Sequence, residues 1–168
     1  MSNDVEHNKF LIHKYPWLWP NDWHGNRIPE DKYDYTWTFL DEEIPNGWRE
    51  SIMEPMCEEI QASLIKHNCV HDFNVLQIKE KFGYLHFYYN GIQGECAKEI
   101  RNIISKYEKI SYMTCSCCGK QAKWISKGWI CPYCDECAQN LLDDRISKGY
   151  IDSNTTIDKA FSPIESSD

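Results

Sequence analysis

Phe73-Asn-Val-Leu-Gln-Ile-Lys-Glu-Lys-Phe-Gly-Tyr-Leu-His-Phe-Tyr-Tyr-Asn90 is the stretch on which the fold turns. Leu76 and Ile78, and then Leu85, Phe87 and Tyr89, recur at every second position, the period that puts side chains on one face of a strand. Lys79 to Gly83 lies between them as the connection, so the segment reads as a β-hairpin. Upstream, from Trp48 to His67, the period changes. Met53, Met56, Cys57, Ile60 and Leu64 are spaced by three and four, which is one stripe of an amphipathic helix. Its start is open between a capping-box pair at Ser51 and Glu54 and a first helical position at Pro55. Downstream, Gly91 and Gly94 bracket a loop, and Ile100, Ile103, Ile104 and Tyr107 mark a second helix. Two helices around a hairpin predict an α+β core.

Beyond that core the cysteines take over. Of nine in the chain, six fall between Cys115 and Cys137. The total is odd, and clustering of this kind favours metal over disulfides. Cys115-x2-Cys118 and Cys134-x2-Cys137 are separated by 15 residues, a spacing that lets two short pairs converge on one tetrahedral ion. Gly119 supplies the tight turn of a zinc knuckle, Ala122 to Trp129 can form a short hairpin, and the second pair opens a third helix, Cys137 to Ile146, stopped by Gly149. The arrangement looks like a treble-clef finger holding one structural Zn2+ per chain. Cys131-x2-Cys134 is also a proper pair, so Cys131 in place of Cys137 is an alternative. Four thiolates leave the metal no open position for water or substrate, as catalysis would need.

These readings divide the chain into an aromatic-rich arm plus α-β-β-α core at 1–112, a zinc module at 113–149 and a mobile tail, rich in Ser, Thr and Asp, at 150–168. In the arm, residues 9–48, four prolines break any long element and no periodicity is sustained. An irregular arm pinned by its aromatic side chains is expected. The chain's 14% aromatic content excludes a disordered polypeptide. No apolar run is long enough to cross a membrane and the first eight residues are polar and acidic, unlike a signal peptide, so a cytoplasmic protein is expected. The formal charge of −8 opposes loose binding to nucleic acid. It is unevenly spread, however, and residues 98–128 hold seven basic against two acidic side chains.

Residues 75–89, the helix ending near Ser111, Thr-Cys-Ser-Cys-Cys-Gly and Gly-Trp-Ile-Cys-Pro-Tyr-Cys-Asp-Glu-Cys together resemble a family of small bacterial and phage-encoded proteins. The likeness spans roughly residues 46–142, and Lys14-Tyr15-Pro16 looks like the family's start. It implies the same paired-cysteine knuckle and a phage or prophage context, and brings no activity with it. Cys131 is extra here, and His86 stands where the family pattern has Arg.

No Walker loop, dinucleotide fingerprint or helical His pair is present, and neighbouring acids such as Glu58 and Glu59 point different ways on a helix. A non-enzymatic binding protein is therefore the expected function: a phage accessory or counter-defence factor that engages a host protein or sequesters a small anionic ligand. Trp17, Trp19 and Trp23 are candidate aromatic anchors, and Lys79, Lys81 and Arg101 candidate cations. The alternatives are a nucleic-acid-binding module using residues 98–128, and an enzyme whose site the sequence does not display.

Overall fold

The computed structural model describes residues 3–22, 24–35 and 44–165. The molecule mixes helix and sheet, and its centre follows the predicted order. A helical rod comes first, made of α2 (Asn46–Trp48), a π turn (Arg49–Met53) and α3 (Glu54–Lys66). The helix neither starts at Ser51 nor at Pro55. It runs through both, widening into the π turn directly ahead of Pro55, whose ring removes the donor for a carbonyl four residues back.

The hairpin follows as β1 (Asn74–Lys81) and β2 (Tyr84–Asn90), with Lys81 opposite Tyr84 and Ile78 opposite Phe87. Its connection is shorter than expected, because Lys79, Glu80 and Lys81 belong to the strand. The turn is Phe82-Gly83 alone, with φ of 54° and 82°. Positive φ at both central positions matches the twist of the strands. A bulge between Val75 and Gln77 corrects a second expectation: Leu76 is put out of register and is 40% exposed, while Val75 packs on the core instead. One extra residue reverses the inward–outward alternation at that point.

α4 (Gly94–Tyr112) closes the core, setting Ile100, Ile104 and Tyr107 in one cluster with Met56, Cys57, Ile60 and Leu64 of α3 and with Ile78, Leu85 and Phe87 of the hairpin. Cys69 and Cys96 are disulfide-bonded across the base of the hairpin, a pairing the sequence reading did not propose.

The N-terminal part departs from the irregular arm expected of it. Asn3–Lys14 is a helix, α1, and Asn8, Leu11, Ile12 and Tyr15 are buried at spacings of three, four and seven. A polar residue heads that stripe, which hid it. Asn8 is buried because it donates to the Tyr35 carbonyl at 2.9 Å and accepts from the Arg49 guanidinium at 2.5 Å, so neither polar group is left unpaired.

The mobile tail is corrected as well. After β3 (Trp124–Ser126), β4 (Pro132–Tyr133) and α5 (Asp135–Ser147), the chain returns through α6 (Ile157–Ala160) to β5 (Phe161–Pro163), which pairs antiparallel with β3 in a sheet of order β4-β3-β5. Phe161 is fully buried and forms a second, smaller core with Ala138 and Leu142. A single Phe in a polar segment carries no periodicity, so pattern alone could not place it.

Candidate metal centre

Two local devices aim the four cysteines at one point. In the first, Gly119 takes a φ of 75° while its N–H bonds the Cys115 carbonyl at 2.9 Å and the Cys115 N–H bonds the Lys120 carbonyl at 2.8 Å. This knuckle folds Cys118 back beside Cys115. In the second, Cys134 is the N-cap of α5 and its sulfur accepts from the Cys137 N–H at 3.5 Å, which places the second pair at the positive end of a helix. Lys120 paired to Glu136 at 2.9 Å, with Lys123 and Trp124 both on Asp135, ties knuckle and hairpin to that helix start.

The sulfurs of Cys115, Cys118, Cys134 and Cys137 all lie within 4.8 Å of one another, and Cys118 to Cys134 is 3.6 Å. A tetrahedral ion about 2.3 Å from each of four sulfurs sets sulfur–sulfur edges of about 3.8 Å. The cluster therefore fits one metal ion. Cys115 and Cys134 are buried, Cys137 half-buried and Cys118 exposed, so the cluster is most open at Cys118.

The spare thiols take other places. Cys131 stands apart from the group, its N–H bonded to the Ser126 hydroxyl at 3.0 Å and its thiol pushed up to about 11 by burial. The alternative of Cys131 replacing Cys137 is thereby not what this geometry offers. Cys117 hydrogen-bonds to the Cys115 sulfur, holding the Cys115 thiol well below the usual range and its own above it. Burial raises the thiols of Cys118 and Cys137.

The knuckle is seated on the core through its own main-chain carbonyls. The Gly47 N–H donates to the Ser116 carbonyl at 2.8 Å and the Trp48 indole N–H to the Thr114 carbonyl at 2.9 Å. A Cβ on Gly47 would overlap the Cys115 carbonyl oxygen and come within 2.6 Å of the Cys118 amide nitrogen. In an open helix Gly→Ala stabilises by about 1 kcal/mol. Here the overlap is with backbone, which cannot swing away. Gly47→Ala is expected to destabilise the protein by about 1–3 kcal/mol and to speed loss of the metal to a chelator, as denaturant titration and chelator competition would show. An unchanged midpoint would mean that the knuckle is not seated as described.

The other sequence candidates are scattered. Trp17 is buried and donates to Gln61 at 2.5 Å; Trp19 donates to the Ile28 carbonyl at 2.8 Å and lies under the Arg27 guanidinium at 4.3 Å. Both indoles already hold the fold together. Trp23 lies outside the described residues. Arg101 is exposed on α4 and is not part of the groove that Lys79 and Lys81 line.

That groove, about 330 Å³, runs between Lys79, Glu80, Lys81 and Phe82 of the hairpin and Gly128, Trp129 and Ile130 of the module. Phe82 is 65% and Trp129 75% exposed. Sequence reasoning saw Trp129 only as the end of a hairpin; its position beside a glycine at a turn was the available signal.

The basic stretch 98–128 is largely engaged. Lys98 pairs with Glu95, Lys106 with Glu59, Lys120 with Glu136 and Lys123 with Asp135, and Lys127 caps the carbonyls of Asp158 and Lys159. Among the described residues no helix is long and apolar enough to cross a membrane. No family model, no curated protein and no solved structure matches this chain.

Proposed function

We propose that the chain is a non-enzymatic, zinc-stabilised binding protein whose contact surface lies where the hairpin tip meets the module. The observation that carries this reading is the exposure of Phe82 and Trp129 on either side of a groove flanked by Lys79 and Lys81. Large aromatics are among the side chains that gain most from burial, and a cluster of them left in water marks a surface that a partner covers. A protein is favoured over a small anion because the groove is open and its largest side chains project rather than enclose.

Zinc is the proposed ion because four thiolates in tetrahedral array suit it and supply no vacancy for catalysis. A glycine knuckle, a short hairpin and a ligand pair opening a helix make the module a treble-clef-like unit. The resemblance to phage-encoded proteins supports a partner in the host cell, and with it an accessory or counter-defence role. A nucleic-acid function is disfavoured by the ion pairs that occupy the basic stretch.

With p-benzoylphenylalanine in place of Trp129, irradiation of the full chain in its source cell is expected to give a defined protein adduct. Lys79→Glu should weaken that adduct while zinc content stays unchanged. No protein adduct, or adducts with nucleic acid alone, would overturn the proposal.

A further inference from the structure

A cleft of about 620 Å³ lies at the base of the hairpin, and it shares no lining residue with the groove at the tip. The turn Pro16–Leu18 and the loop after it form one side, and Gln61 of α3 forms the other together with the chain entering β1. Its walls are aromatic. Trp17 and Phe73 meet edge-on at 5.3 Å, and Trp19 is held by its bond to the Ile28 carbonyl and by edge contact with Tyr33 at 5.7 Å. A cleft of this size, with apolar walls and a few placed polar groups, is the usual form of a small-molecule site.

The polar groups are fixed in place. Arg27 lies over the Trp19 ring, 4.3 Å from its centre, and among the described residues it makes no ion pair. A guanidinium donates from its rim, so one held over a ring keeps its fork for a phosphate or carboxylate. The loop that carries it is pinned: Asn21 and Arg27 are bridged across it, and the Asp22 carboxylate accepts from the main-chain N–H groups of His24 at 2.9 Å and Asn26 at 2.8 Å. Although the chain carries a formal charge of −8, no carboxylate is among the described residues lining the cleft. An indole N–H can only donate, so the Trp17 bond at 2.5 Å sets the Gln61 amide with its oxygen on Trp17 and its NH2 turned away. Asn21 donates to Asn74 at 2.7 Å and Asn74 to Asn90 at 3.0 Å, which holds two further amides in the wall.

From this we infer that the cleft binds a purine nucleotide, with the phosphate on Arg27 and the base against the aromatic wall. The site is separate from the contact surface at the tip. An aromatic carboxylate would satisfy Arg27 but set an apolar rim against the amides of Gln61, Asn21 and Asn74, and polar groups covered without partners cost binding energy. A nucleobase carries donors and acceptors on its rim, which is what side-chain amides pair with. A two-ring base also covers more of the aromatic wall than a pyrimidine does.

The test is isothermal titration calorimetry of the full, metal-loaded protein with AMP and with GMP. Saturable one-to-one binding of at least one is expected, weaker by about tenfold or more for the matching nucleoside and for inorganic phosphate. Arg27→Gln should lower the affinity by about tenfold or more at unchanged zinc content and Tm. Gln61→Glu keeps an acceptor for the Trp17 indole while bringing a carboxylate into the cleft, and it should lower the affinity at least as far. Lys79→Glu, at the tip, should leave it unchanged. No saturable binding of either nucleotide, a nucleoside or free phosphate that binds as tightly, or indifference to both cleft variants would each overturn the inference. Loss of binding with Lys79→Glu would overturn it too, by placing the ligand at the tip. Should Arg27→Gln lower the Tm, Gln61→Glu decides alone. None of these outcomes bears on the cross-linking at position 129, so the cleft and the tip stand or fall separately.

Discussion

Removing the metal is expected to unfold the module while leaving the main core in place. The magnitudes decide this. A structural four-thiolate zinc site contributes roughly 10–16 kcal/mol of apparent binding free energy at neutral pH, all of it folding free energy for the segment it holds. The module's own core is small: Ala138, Leu142 and Phe161 are its buried members. Full burial of a side chain such as Leu142 or Phe161 is worth about 1.5–3 kcal/mol. The main core, by contrast, joins α1, α3, the hairpin and α4 in one cluster without any cysteine of the metal group. With a chelator, or with Cys118→Ser, amide protection should fall from Cys115 through Pro163 and persist at Ile78, Leu85 and Phe87. Elemental analysis should find one zinc per chain in the parent and a large loss in the variant. Full retention of zinc by Cys118→Ser would sink the assignment, and opening of the hairpin together with the module would show that the two are one cooperative unit.

The second large effect is expected at Phe161. Its side chain is fully buried, edge-on to Tyr133 at 5.9 Å, and its strand is the one that brings the C-terminal segment onto β3. Truncating a buried Phe to Ala costs about 3–5 kcal/mol, the sum of lost transfer energy and the cavity left behind. Because metal binding and folding of the module are linked, most of that loss should appear as weaker retention of the ion. Phe161→Ala is expected to raise the apparent zinc dissociation constant by about two orders of magnitude or more in chelator competition. A variant that holds its metal as tightly as the parent would show that the C-terminal segment is not part of the module.

The parts of this fold legible in the sequence are those whose signal is local. α3 and α4 announce themselves through apolar residues spaced by three and four, and the hairpin through alternation on either side of Phe82-Gly83. The cysteine cluster was legible for the same reason: each Cys-x2-Cys pair is a short-range pattern, and the spacing between pairs is enough to imply convergence. What failed depends on partners far along the chain. α1 buries an asparagine whose place is explained only by the Arg49 guanidinium and the Tyr35 carbonyl. The bulge at Leu76 is a property of strand pairing, and Phe161 finds its strand partner, Ser126, and its ring partner, Tyr133, about thirty positions upstream. The candidate contact surface fell between these cases. Lys79 and Lys81 were visible as a charged tip, yet the tryptophan across the groove comes from the module, and only the folded chain brings them together.

The seat of the knuckle on the helical rod has a bearing on how such a protein can diverge. Gly47 and Gly119 meet there as bare main chain, since a Cβ on Gly119 would stand 2.7 Å from the Gly47 carbonyl oxygen. Where main chain meets main chain, there is no side-chain code that mutation can retune. The two glycines admit no substitute that leaves the surfaces in register. Descendants of this sequence would keep their geometry at that point by constancy rather than by compensating change, and the joint would stay silent in any search for residues that vary in concert.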